Sequence, residues 1–302
     1  MDARDSPELK HRYSQRPIEC RVVQIKLAAT FRSTLTRKEI HMHTGKPITI
    51  QGKPLGSGRF PTICTPLVGR THEQVLAELA LVLPKQPDLL EWRVDFFTAI
   101  DNTAAVLALA SAIRATADGI PVLFTRRSTQ EGGEPIPLSE EQVVALIVAV
   151  CASGAVDMVD FEMNNDPTHI AQVRAAAHAH GVQLLLSFHN FQSTPAQQVL
   201  CERFAQAQAL GADVAKIAVM PQRLEDVIAV LAATLESSQK LDIPVASMSM
   251  GGYGALTRLV GGVFGSAMSF AVGAAASAPG QVPIEDMNTV LAILQKSLAP
   301  KA

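Results

Sequence analysis

The stretch Gly211-Ala212-Asp213-Val214-Ala215-Lys216-Ile217-Ala218-Val219-Met220 sets one lysine inside an apolar run. Gly211 opens it and Pro221 closes it, so it reads as a buried β-strand. An ammonium in apolar surroundings loses hydration, which favours the neutral amine. A neutral amine attacks a carbonyl carbon and forms a Schiff base. A lysine that snorkels to the sheet edge or pairs with an acid fits the same residues, and only the rest of the chain separates the two readings.

On both sides of this strand the chain alternates short apolar runs with helical patterns. Thr62–Val68, Leu89–Asp95, Ile120–Thr125, Val156–Phe161, Val182–Phe188, the lysine strand, Ile243–Ser249 and Met268–Val272 read as strands. Helices follow at 72–83, 104–117, 139–153, 167–180, 195–210, 224–236 and 284–298, and a Gly-rich, partly helical segment at 251–264. Thr71 and Ser139 are expected N-caps. Eight strand–helix units of roughly 25–35 residues predict parallel strands joined by crossover helices, and so a (β/α)8 TIM barrel of one domain. A doubly wound open sheet is the alternative, but Val68-Gly69-Arg70-Thr71 supplies no glycine-rich fingerprint after the first strand. Pro47–Leu55 reads as a short N-terminal β-hairpin.

Residues 1–41 differ from the rest: nine Lys/Arg stand against five Asp/Glu, and hydrophobic periodicity is weak. They are expected to be a poorly ordered, dispensable extension or leader, with Met42 an alternative start and 42–302 the catalytic domain. The formal net charge of −2 gives no case for nucleic acid or a membrane surface. Cys20, Cys64, Cys151 and Cys201 are scattered, which argues against a disulfide framework or zinc site and favours the cytoplasm. No run of about 18 apolar residues is present to span a bilayer.

In such a barrel the chemistry gathers at the C-terminal ends of the strands. Glu91, Arg93 and Asp95 alternate on the second strand; Arg126 and Arg127 end the third, followed by Glu131 in a Glu-Gly-Gly-Glu loop. Asp160 and Glu162 lie on the fourth, Ser187-Phe188-His189-Asn190 ends the fifth, and Lys216 is on the sixth. Met248, Ser249 and Met250 end the seventh, with Arg258 and Ser277–Gln281 after them. A strand-end histidine beside a lysine strand suits a general acid/base next to an imine-forming amine. The arginines suit a bidentate anion. No metal ligand set stands out. A class I aldolase, which uses the same imine chemistry in the same barrel, fits these residues as well, and a ligand-binding barrel without catalysis is a third reading.

Six ordered motifs resemble type I 3-dehydroquinate dehydratase: Glu91-Trp92-Arg93-Val94-Asp95, Glu131-Gly132-Gly133-Glu134, Ser187-Phe188-His189-Asn190-Phe191, Gly211–Pro221, Met248-Ser249-Met250-Gly251 and Ser277-Ala278-Pro279-Gly280-Gln281. The resemblance implies metal-free, cofactor-free dehydration of 3-dehydroquinate to 3-dehydroshikimate in the shikimate pathway. It implies Lys216 as the Schiff-base lysine, His189 as general acid/base and Glu131 as the acid beside that histidine. Arg258 would pair with the substrate carboxylate. Glu91, Arg93 and Arg127 match further substrate-binding positions, Met250 the pocket lining, and Ser277 and Gln281 a closing loop. Bacterial members of this family are often dimers, so it also implies a homodimer.

Overall fold

A computed structural model describes residues 47–55 and 60–298, and the expectation for residues 1–41 lies outside these described residues. Strands β1 (Ile48–Ile50) and β2 (Lys53–Leu55) form an antiparallel hairpin. The barrel strands follow: β3 (Thr62–Leu67), β4 (Leu89–Arg93), β5 (Val122–Thr125), β6 (Met158–Glu162), β7 (Gln183–Asn190), β8 (Val214–Val219), β9 (Val245–Ser249) and β10 (Met268–Val272). They pair in chain order and all in parallel, and β11 (Val282–Pro283) adds to β10. Between them run α1 (His72–Val82), α2 (Thr103–Thr116), α3 (Glu140–Ala152), α4 (Pro167–Ala179), α5 (Gln197–Ala209), α6 (Leu224–Lys240) and α7 (Gly251–Val260); α8 (Ile284–Leu298) comes last. This is the expected curled parallel α/β sheet with its hairpin.

The caps form as expected. Thr71 accepts from Gln74 N, and Ser139 makes a reciprocal capping box with Gln142. The second strand is shorter than expected. It ends at Arg93, and Val94–Phe96 form a 3-10 turn, so Asp95 does not continue the alternation but folds back onto Arg93.

Every residue of β8 is buried, because one face packs on helices and the other fills the barrel. Ala215, Ile217 and Val219 join the apolar layer between strands and helices. Val214 and Ala218 join the interior, with Lys216 inward between them. The same parity repeats on neighbouring strands. Leu89, Leu123, Met158 and Leu185 form an apolar interior layer, and two residues onward stand Glu91, Thr125, Asp160 and Ser187. Ile50 and Leu55 of the hairpin pack onto that apolar layer.

Closure of the sheet rests on few bonds. β9 and β10 meet at a single parallel bridge, Val245 to Ser266, with Ala267 N donating to Val245 O at 2.7 Å. Buried Ser266 completes the seam: its Oγ accepts from Ser247 N at 3.2 Å and donates to Met268 O at 2.9 Å.

Candidate active site

All ten residues singled out from the sequence, Lys216, His189, Glu131, Glu91, Arg93, Arg127, Met250, Arg258, Ser277 and Gln281, line one cavity. It opens at the C-terminal ends of the strands. Strand parity places them: Glu91 and Arg93, Lys216, and His189 occupy inward positions, while Arg127 shares the inward parity of Leu123 and Thr125. Arg126 has the opposite parity and pairs with Glu140 at the start of α3. It is absent from the cavity wall, so of the two arginines Arg127 faces the site.

Lys216 is buried, but its surroundings are not the apolar slot its flanks suggested. Its Nζ lies 3.1 Å from Asp160 Oδ2, 3.9 Å from Glu91 Oε1 and 4.4 Å from the centroid of the Phe270 ring. Asp160 is fully buried, which opposes ionisation, yet Arg127 and Lys216 hold its carboxyl down at about 2.

His189 stands on β7, next to the lysine strand. Its Nδ1 is 2.8 Å from Glu131 Oε2, and the same oxygen accepts the His189 backbone N–H at 3.0 Å. Asn164 donates to the other oxygen of Glu131 at 2.9 Å. Burial, reinforced by the charges of Arg127, Lys216 and Arg93, drives the imidazole well below its ordinary value. Burial and the neighbouring Glu162 push the Glu131 carboxyl up to about 8. The two groups therefore titrate as a pair holding one dissociable proton near neutrality. When that proton leaves, Glu131 is ionised and accepts from Nδ1–H, and Nε2 is a bare base.

The Glu-Gly-Gly-Glu loop owes its glycines to close approach. Gly132 has φ of 85°, and a Cβ there would lie 2.4 Å from the Phe191 ring; at Gly133 a Cβ would lie 2.0 Å from Arg127 O. The loop thereby folds tightly enough for Glu131 to reach His189, while Asp95 pins it by accepting from Arg127 N and Glu134 N.

The three arginines on the wall differ in what already holds them. Arg93 makes a two-pronged contact with Asp95 at 2.8 and 2.7 Å. Arg127 is clamped by Asp160 at 2.7 Å and Glu162 at 3.0 Å. Arg258, on α7, is 1% exposed and has no carboxylate partner among the described residues. It donates only to carbonyls of Phe270 and Pro279, its Nε is unpaired, and burial lowers it to about 10. A buried guanidinium without an acid suits a carboxylate ligand. Ser277 and Gln281 bond each other, at 2.9 and 3.1 Å, in the loop between β10 and β11. Arg93 and Arg258 donate to that loop through Ser277 O and Pro279 O.

The sequence placed Asp160 at the rim without a role, and gave none to the Phe270 and Phe191 rings that complete the wall. Phe270 was within reach of the pattern, since it shares inward parity with Met268. Among the described residues no group of three or more His, Cys, Asp or Glu is arranged to hold a metal ion.

Fold and site define a (β/α)8-barrel enzyme with an ionised cavity at its C-terminal rim. Residues 63–298 match the family described as Type I 3-dehydroquinase. The chain is 60% identical over 257 residues to the 3-dehydroquinate dehydratase of Albidiferax ferrireducens, covering 85% of this chain and 97% of that one. It is 52% identical over 253 residues to that of Aromatoleum aromaticum, covering 84% and 97%. The crystal structure of 3-dehydroquinate dehydratase from Geobacillus kaustophilus superimposes with a TM-score of 0.82 at 48% identity, covering 85% of this chain and 99% of that one. A Clostridium difficile type I enzyme, solved with covalently modified comenic acid, gives 0.80 at 37%, covering 84% and 100%. The chain belongs to the type I 3-dehydroquinase family.

Proposed function

We propose that this protein is a hydro-lyase that dehydrates 3-dehydroquinate to 3-dehydroshikimate, a step of the shikimate pathway to aromatic amino acids, through an imine on Lys216. The observation that carries the reading is one cavity holding an amine, an imidazole–carboxyl pair and an uncompensated guanidinium.

The Nζ lone pair adds to the ketone carbon, the carbonyl oxygen takes up protons and leaves as water, and a C=N iminium remains. The iminium acidifies the adjacent C–H. His189 takes that proton, and the C–H electron pair moves toward nitrogen to give an enamine. The pair then returns to expel the hydroxyl on the next carbon, which departs as water with a proton from His189. Hydrolysis of the conjugated iminium consumes one water and frees Lys216, so the net loss is one water. Arg258 holds the substrate carboxylate, while Glu91, Arg93 and Arg127 face its hydroxyl and carboxylate side. Met250 lines the wall, and Ser277 and Gln281 cover the site.

Lys216→Ala is expected to abolish both the ultraviolet rise of the conjugated enone and the borohydride-trapped adduct. An adduct at the same site in that variant sinks the imine. The route needs no cofactor, so activity is expected to survive exhaustive chelation; its loss would bring a metal back. No rise on adding 3-dehydroquinate would favour the aldolase or the ligand-binding reading. The resemblance also supports a cytoplasmic homodimer, which a monomer mass in sedimentation equilibrium would remove.

A further inference from the structure

We infer that Asp160 is the positioning residue of this site: it fixes the Lys216 nitrogen and stays ionised as the counter-charge against which the iminium forms. The inference rests on the imine reading above. Asp160 is 0% exposed and does not line the cavity, so it touches the amine without touching a substrate. Both of its oxygens are committed. Oδ1 accepts from Ser187 Oγ at 2.6 Å, while Oδ2 meets Lys216 Nζ at 3.1 Å and Arg127 Nη2 at 2.7 Å. Arg127 is itself fixed by Glu162 and by Ser187 Oγ, at 3.0 and 2.9 Å. The carboxylate therefore has no free rotation.

The geometry matters most once the imine exists. An ammonium carries three N–H donors, but a protonated imine keeps one. Asp160 Oδ2 is the nearest acceptor to Nζ; Glu91 Oε1 is 0.8 Å farther, at 3.9 against 3.1 Å. Accepting that single N–H sets the plane of the C=N bond. The plane in turn sets which C–H of the adjacent carbon points at the imidazole. The other groups around the nitrogen leave this task to Asp160: Phe270 from β10 presents a ring face, and Cys64 from β3 is a buried thiol that burial keeps protonated. Two roles are thus divided between two strands. His189 moves protons and Asp160 does not.

Asp160→Asn in the full chain is the test, because it keeps the shape and removes the charge. Loss of one fixed electrostatic group predicts a fall in kcat of about 10²-fold. The borohydride adduct on Lys216 still forms, but the choice between the two hydrogens of the adjacent carbon, read with stereospecifically deuterated substrate, is relaxed. Asp160→Glu restores part of that selectivity and part of kcat. Ser187→Ala, which frees Oδ1 and also releases one contact of Arg127, lowers kcat and relaxes the same selectivity, and it decides the matter if Asp160→Asn does not fold. Native kcat in Asp160→Asn, or kcat lost with that selectivity unchanged, overturns the inference. Absence of any Lys216 adduct in the native protein overturns the imine reading instead.

Discussion

At the residue scale the site depends on how neighbouring charges divide protons between His189 and Glu131. Alone in its place, the imidazole would lose its proton well below 6.5, since it is buried among Arg127, Lys216 and Arg93. The Glu131 carboxyl raises the pH at which the pair releases its last proton, because burial and Glu162 make its own ionisation costly. Glu131→Gln keeps an acceptor for Nδ1–H and removes the second titrating group. The acid limb of kcat/KM is therefore expected to move to lower pH in that variant, below 6.5. A limb that stays put or moves alkaline would show that His189 titrates independently of Glu131. The same substitution has a stability signature with a definite sign. A carboxyl raised to about 8 in the fold costs stability progressively as pH climbs from its ordinary value of 4.5 toward 8. Thermal melts are expected to show Glu131→Gln gaining on the native protein across that window.

At the scale of elements, strand parity does most of the placing. One dyad on each of β4, β6, β7 and β8 switches from an apolar interior layer to a polar one, charged on β4, β6 and β8. The loops then decide reach: a tight Gly132–Gly133 turn delivers Glu131 to His189. The seam between β9 and β10 is the place where backbone pairing is thinnest, and Ser266 replaces ladder bonds with its own hydroxyl. Ser266→Ala leaves Ser247 N–H buried without that acceptor. Its cost is expected to be about 1–3 kcal/mol in urea unfolding, whereas no change in midpoint would mean that the bridge at Val245 suffices.

On the scale of the whole molecule, stability and chemistry occupy opposite ends of the barrel. The cavity is at the C-terminal rim, and the hairpin lies against the apolar layer at the other end through Ile50 and Leu55. A chain beginning at Met42 is expected to keep the full-length kcat and KM, consistent with a dispensable extension. Deletion through Leu55 exposes that layer and removes two buried side chains, worth about 1.5–3 kcal/mol each. It should lower the urea midpoint of whatever remains folded. Equal midpoints for the two truncations would show that the hairpin does not seal the barrel, and lost activity in the first would give the extension a function.

The sequence alone determined the barrel, the strand that carries Lys216, and the rim on which His189, Glu91 and Arg93 gather. Those follow from a period of two along each strand and from the order of strands and helices, which are local properties. Parity would even have separated Arg127 from Arg126, since Leu123, Thr125 and Arg127 share one face. The tertiary structure decided who touches whom. Asp160 meets Lys216 across 56 residues and an intervening strand, Glu131 meets His189 across 58, and Asp95 turns back on Arg93 where a strand was expected. Among the described residues Arg258 is left without an acid because of what surrounds it in space. Charge pairing in a buried site is set by distances of 3–4 Å between side chains far apart in the chain, and no local pattern encodes those.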